Sequence, residues 1–430
     1  MNQMNLNSSA ERKIRVYPTQ METQSLGQLR VRCTTPNLTP IENAMVSIST
    51  PGAPDNIVAQ LTTNAAGLTE SVSLSAPSID YSLEPTTEQP YSEYDIRIRT
   101  PGYEDVTISN AQILPNVVAE QDANLIALTP ETVEAEALFV IPPHTLFGKY
   151  PPKIPEDEIK PTGETGEIVL SRVVIPEYVI VHDGPPTDTS AANHYVRFRN
   201  YIKNVASSEI YATWPESTIY ANVFAILSFT LNRVYTEWYR NQGYNFTITS
   251  NTAYDQKWMI GRNIYNNIGL IVDSVFVNYL SRPNVRQPIL SQYCDGDRVQ
   301  CPDWLSQWGS KTLGDQGYTA IQILRSYYGN SIYINSAIEV SGVPSSWPGT
   351  NLSRGSRSDS VRIIQEQLNR IAQAYPLIPK IAVDGVYGPQ TEEAVRTFQE
   401  IFGLPPNGIV DLPTWYKISF IYVAVTRLAQ

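Results

Sequence analysis

Apolar and polar side chains alternate along Gln28–Cys33, Ala44–Ser49 and Tyr94–Arg99, the pattern of strands with one buried and one wet face. Asn64-Ala-Ala-Gly67 and Thr100-Pro-Gly102 interrupt the alternation with turn chemistry, so residues 1–127 read as an all-β sandwich. Further along, the period changes. Val173–Val181 and Asn245–Thr249 are strand-like, whereas Asn200–Tyr211 sets Ile202, Val205 and Ala206 on one helical stripe, and Glu209 falls on that same stripe. After a Trp214-Pro215 corner, Ser217–Arg240 is apolar on nearly every face, as expected of a buried helix. Residues 177–345 therefore read as a mixed α+β domain. In residues 346–430, Val361, Ile364 and Leu368 share one face behind Ser358 or Asp359 as caps, and Thr391–Gln399 forms a second amphipathic helix after the turn Val383–Gly388, which predicts a small helical bundle.

Between the first two units, residues 128–176 scatter Pro142-Pro143, Pro151-Pro152, Pro155 and Pro161 among acidic side chains, a composition that resists regular structure and admits proteases. The chain has 430 residues and a net charge of −11. That excess is unevenly placed: residues 1–175 carry 11 Lys and Arg against 22 Asp and Glu, and the rest of the chain is balanced. With no basic stripe, nucleic acid is an unsuitable partner. No run approaches the ~20 apolar residues of a membrane span, and Met1–Ala10 has neither the basic head nor the apolar run of an export signal, which suggests synthesis and retention in the cytosol. Three cysteines cannot staple a chain of this length, which excludes a disulfide-built secreted scaffold. All seven Trp lie beyond residue 175 and 16 of the 26 Tyr lie between 176 and 350, rings that suit sugar faces as well as cores.

Glu209 is the candidate with chemistry attached. On an apolar stripe its charged form is disfavoured, which lifts its pKa toward the range of a general acid for glycoside cleavage. The same spacing also accommodates a glutamate at a helix end that turns to solvent or pairs with an arginine. Asp255, in Thr252-Ala-Tyr-Asp-Gln256, is the candidate second carboxylate that an inverting hydrolase would need roughly 6.5–9.5 Å away, with a structural hydrogen-bonding role as its alternative. Tyr201, Tyr254 and Gln256 are candidate sugar contacts. Cys294 and Cys301 supply half of a tetrahedral zinc site, could pair as a disulfide, or could remain free thiols. His182 and His194 lie far upstream and read as surface or hydrogen-bonded core residues. No cofactor is expected.

Several runs resemble known families. Pro40–Ile48, Leu61–Leu68 and Thr100–Glu104 resemble the transthyretin-like, carboxypeptidase-regulatory-like sandwich. Ser358–Asn369, Val383-Asp-Gly-Val-Tyr-Gly388, Thr391–Gln399, Gly403-Leu-Pro-Pro-Asn-Gly408 and Thr414-Trp415 resemble the peptidoglycan-binding domain type 1, which implies wall-binding roles for Asp384, Tyr387, Phe398 and Trp415. Tyr201–Glu209, Trp214-Pro215, Ser306-Gln-Trp-Gly309 and Gly317–Gly329 resemble the stage II sporulation protein D family of lytic transglycosylases. That resemblance implies Glu209 as general acid and base, with Ser306 and Gln307 beside the substrate. The family's His-Gly stretch is replaced here by Cys301-Pro-Asp-Trp-Leu305, which removes support for zinc or a catalytic histidine. The three units in this order resemble the clostridial spore cortex-lytic enzymes of the SleC type. The implication is a zymogen made in the mother-cell cytosol, held in the spore cortex or coat region, and cut within residues 128–176 by a subtilisin-like germination protease to cleave cortex peptidoglycan. Two alternatives are a non-catalytic cortex-binding spore protein and a muramidase acting on the same bond.

Overall fold

The computed structural model describes residues 25–129, 136–160 and 170–426. The amino-terminal decapeptide and parts of the proposed cleavage region, residues 130–135 and 161–169, lie outside the described residues.

The first unit is built from β1 (Ser25–Thr34), β2 (Met45–Thr50), β3 (Ala53–Thr62), β4 (Val72–Ala76), β5 (Ser92–Arg99), β6 (Asp105–Ile113), β7 (Val118–Asn124) and β8 (Glu136–Val140). One sheet runs β3-β2-β5-β6-β8. The alternation predicted for Tyr94–Arg99 is realised: Tyr94, Ile96 and Ile98 point into the core opposite Leu29, Val31 and Cys33 of β1. Gly67, at φ +72°, closes the turn read from Asn64–Gly67, a left-handed conformation that a side chain would strain.

Residues 128–176 depart from the expectation of an irregular spacer. β8 is a parallel edge strand beside β6, and residues 141–160 then lie across the second unit, with His144 and Lys160 buried. Proline density forbids long ladders, yet Pro-rich backbone can still pack when its side chains supply the hydrogen bonds.

The second unit contains β9 (Val174–Ile175), β10 (Tyr178–His182), β11 (Asn193–Arg197), α1 (Phe198–Glu209), α2 (Glu216–Tyr235), β12 (Ile248–Thr249), β13 (Ile264–Tyr265), α3 (Asn266–Val275), β14 (Asn278–Ser281), β15 (Tyr293–Cys294), β16 (Leu305–Ser306), α4 (Gln307–Asp315), α5 (Ala320–Tyr328), β17 (Tyr333–Ser336) and β18 (Glu339–Val340). Pro176 divides the predicted strand Val173–Val181 into β9 and β10. α2 is the central helix its sequence predicts, buried from Thr218 to Arg233 on almost every face. β13 pairs antiparallel with β7 and so completes a second sheet, β13-β7-β1-β4, that belongs jointly to the first two units.

The third unit comprises α6 (Asp359–Ile371), α7 (Pro389–Ile401) and α8 (Leu412–Thr426). Ser358 is the cap of α6, its side chain accepting from the Val361 amide. This bundle is tied to the other units: Arg32 donates to the Ile401 carbonyl at 2.9 Å and Arg199 to that of Tyr416 at 3.0 Å. Among the described residues no helix is long and apolar enough to cross a membrane.

Candidate active site

Glu209 ends α1. The apolar stripe of that helix packs inward, and the chain leaves it in extended conformation at Ile210, so the terminal carboxylate stays on the buried side with only 3% exposure. Its Oε1 accepts the Lys257 amide at 2.6 Å, and its Oε2 accepts the Tyr293 hydroxyl. Gln307 donates its side-chain amide to the Glu209 carbonyl at 3.1 Å, which ties the end of α1 to the start of α4. Burial raises the Glu209 pKa, opposed by the Lys153 ammonium, the Lys257 amide and the Tyr293 hydroxyl.

A cleft of about 290 Å³ opens beside this carboxylate. Tyr293, Asp295 and Gln307 line one side and Tyr150, Pro152 and Lys153 the other. The half-buried Lys153 ammonium donates to the carbonyls of Thr252 and Asp255 and lies about 5 Å from the ring centroids of Phe229 and Tyr293. Burial lowers the pKa of Lys153, and Glu209 opposes that shift. The arrangement is a shielded carboxyl group of raised pKa bordering open space, with one cation close by.

The strap Thr145–Lys153 is held over this cleft from outside. Cys294 and Cys301 are joined in a disulfide, which removes both thiolates from any metal site. Among the described residues no group of three or more His, Cys, Asp or Glu could hold a metal ion. The closed loop presents Arg298, whose guanidinium donates to the carbonyls of Thr145 and Gly148 at 2.6 Å each, and to that of Phe147 at 3.2 Å.

Other expected site residues are placed elsewhere. Asp255 is wholly buried: Oδ1 accepts Arg233 at 2.7 Å, and Oδ2 accepts the Tyr239 hydroxyl at 2.6 Å and both the amide and hydroxyl of Thr249 at 2.8 Å. A carboxylate so engaged and wholly buried holds the fold, and it does not border the cleft where a water would have to be activated. Tyr201 and Gln256 are also wholly buried, bonded to each other at 3.2 Å, so neither reaches a sugar. Gln256 instead backs Tyr293 with a side-chain hydrogen bond. Tyr254 lines a separate depression beside Trp238 and Tyr239. Ser306 caps α4 by accepting the Gly309 amide, and only Gln307 of that pair borders the cleft. In the bundle, Tyr387, Phe398 and Trp415 are core residues with at most 1% exposure, and Asp384 organises its own turn by accepting the Val386 amide and the Gln365 side chain. Their motif spacing therefore reports packing and loop closure.

His182 stacks on Phe246 and bonds Asn193, and His194 lies beside Trp258. His144, the third histidine, is completely buried, and desolvation pushes its pKa well down. Tyr293, Lys153 and Arg298 are the site residues that sequence reading missed. Gln292-Tyr293-Cys294 carries no periodic signal, and Tyr-Pro-Pro-Lys153 sits in a stretch that reads as a spacer. In Tyr293→Phe the carboxylate loses a stabilising donor, so its pKa rises further. The alkaline limb of any activity that needs Glu209 protonated should move to higher pH, measurable as a pH profile of glycan cleavage. An unmoved limb would separate Tyr293 from the titrating group.

Residues 357–418 match the family described as "Putative peptidoglycan binding domain". Over 72 residues, 17% of this chain, the sequence is 40% identical to the zinc D-Ala-D-Ala carboxypeptidase of Streptomyces albus G. Over 70 residues, 16% of this chain, it is 40% identical to an uncharacterized protein in the bpoA1 3' region of Kitasatospora aureofaciens. The chain spans 27% and 55% of the length of those two relatives. Among solved structures, chlorocatechol 1,2-dioxygenase from Pseudomonas putida aligns over 27% of this chain and 60% of its own, with 10% identity and a TM-score of 0.15, which is too low to define a shared fold. The third unit is thus a peptidoglycan-binding domain, and the matches suggest that the protein associates with the cell wall.

Proposed function

We propose that the protein is a peptidoglycan lytic transglycosylase of the spore cortex, held on its substrate by the C-terminal module and latent until cut. The observation that carries this reading is the Glu209 carboxyl group, shielded from water yet bordering a cleft. Burial raises its pKa, which favours its donating to the glycosidic oxygen between muramic acid and N-acetylglucosamine as positive charge develops at C1. The Lys257 amide and the Tyr293 hydroxyl then stabilise the carboxylate that remains. That carboxylate takes the proton from the muramic C6 hydroxyl, whose oxygen closes on C1 to form a 1,6-anhydro ring. The carboxyl group is regenerated and no water is consumed.

Hydrolysis is the second reading, because Asp295 also borders the cleft. Its oxygens are occupied by the amides of Asp297 and Val299 and by Arg298, which favours a structural part for it. Latency is supported by the strap, whose Tyr150, Pro152 and Lys153 stand where a glycan strand would lie.

Mass spectrometry of fragments released from cortex peptidoglycan tests the chemistry. Anhydro-muramic ends, lighter by one water than reducing ends, are expected from the proteolytically trimmed chain, with much slower release by the intact one. Reducing muramic ends would establish a muramidase. No release by either form, with retained sedimentation on the wall, would establish a binding protein.

A further inference from the structure

The three units meet around a cavity of about 250 Å³, well above the ~150 Å³ that holds a benzene in an apolar protein interior. Its charged lining is lopsided for so acidic a chain: Arg32, Lys203, Arg262 and Lys417 face Glu120, Asp122 and Asp273. The acids are already committed. Asp122 pairs with Arg32 at 3.4 Å, Asp273 with Lys203 at 2.6 Å and with Arg199 at 3.3 Å, and Glu120 with Arg30. Lys417, in contrast, is half-buried in the wall and makes no hydrogen bond and no ion pair among the described residues, while Arg262, only 4% exposed, already donates to the Gln112 side chain, the Ser207 carbonyl and the Tyr265 hydroxyl. The remaining wall includes Trp258, Leu270, Phe402, Phe420 and Ile421.

We infer that this cavity binds a small ligand with an apolar body and one carboxylate, of about dipeptide size, its carboxylate taken by Lys417. The lining carries one more cation than acids, which matches a monoanion better than a doubly charged phosphate. A cation drawn into a largely apolar wall without a paired acid is costly, and an entering carboxylate supplies what Lys417 lacks. The terminus of a wall stem peptide has this chemistry, and that identification rests on the wall-binding part of the function proposed above. Walls from β1, α1 and α8 would close on the ligand together, so occupancy ties the binding module to the rest of the chain.

Burial moves the Lys417 pKa down to about 7, with Lys203 from α1 adding to the shift, Asp273 from α3 opposing it, and Arg199 from α1 and Arg32 from β1 adding further. Binding of the carboxylate therefore requires Lys417 to take up a proton above that pH, and affinity should fall between pH 6 and pH 8.

The test is calorimetry on the intact chain with acetyl-D-alanyl-D-alanine, its C-terminal amide and inorganic phosphate, beside sedimentation with peptidoglycan. One-to-one binding of the acid is expected, at least tenfold weaker for the amide, weaker for phosphate, and lost in Lys417→Met, a variant that removes a buried charge and keeps the side-chain length. Absence of binding at millimolar acid, equal affinity for acid and amide, equal or tighter phosphate binding, or an unchanged Lys417→Met would each overturn the inference. Sedimentation reads the wall-binding reading separately: a chain that sediments but ignores the dipeptide retains that reading and loses this one.

Discussion

On the proposed mechanism, Glu209→Gln is expected to leave the protein folded and wall-bound and to lower glycan cleavage by about 10³-fold or more, the scale at which a positioned general acid and base contributes. The amide occupies the same volume as the carboxyl group, its oxygen still accepts the Lys257 amide, and its NH₂ can donate to the Tyr293 oxygen, so the two hydrogen bonds that orient residue 209 are conserved in number. What disappears is a proton that can leave and return. The comparison requires three measurements on one preparation: fragment release from cortex, melting temperature, and sedimentation with peptidoglycan. Release within tenfold of the parent, at unchanged stability, would remove Glu209 from the chemistry and with it the transglycosylase mechanism. Loss of release together with loss of folding would instead assign Glu209 a structural part, as an acceptor for the Lys257 and Tyr293 donors.

The largest effect on stability is expected at Arg233. Its side chain is fully buried, with Nε on Asp255 at 2.7 Å and the two terminal nitrogens on Glu156. Arg233→Met strands a wholly buried Asp255 and leaves the mostly buried Glu156 with Lys160 alone, and removing one partner of such a buried group costs about 3–5 kcal/mol. A chemical-denaturation midpoint measures this directly. In Arg233→Met with Asp255→Asn the stranded charge is gone, so part of the loss should be recovered, and the shortfall from additivity reports the pairing. An Arg233→Met midpoint equal to the parent's would mean that water or a rearranged cation compensates the acids. Glu156 belongs to the segment that carries the strap, so the single variant should also make residues 145–160 more accessible to proteases.

Much of the architecture is carried by local periodicity. The alternation in β1, β2 and β5, the all-round apolar character of α2 and the stripe of α6 can be read from the chain because each is decided by neighbours within one element. Glu209 is legible for the same reason, since a carboxylate on an apolar helical stripe has few places to go. The rest of the site depends on contacts between residues 48 to 98 positions apart: the Lys257 amide, the Tyr293 hydroxyl and the Gln307 side chain reach Glu209 through tertiary packing alone. Asp255 and Gln256 show the opposite failure. Their residue types suit substrate binding, yet Arg233, Tyr239 and Thr249 on other elements saturate the carboxylate, and Gln256 is enclosed between Tyr201 and Thr230. The bundle shows a third limit. Periodicity puts Phe398 and Trp415 on apolar faces, and only the packed structure distinguishes a core face from one offered to a ligand.

On the latency proposed above, Lys153 gives the strap a second means of restraint. While the segment is seated, it not only fills space above the cleft but also sets a cation beside Glu209 that opposes the rise of its pKa. On the proposed latency, withdrawing the segment would uncover the acid and let its pKa rise further in one event, so the proposed catch is electrostatic as well as steric.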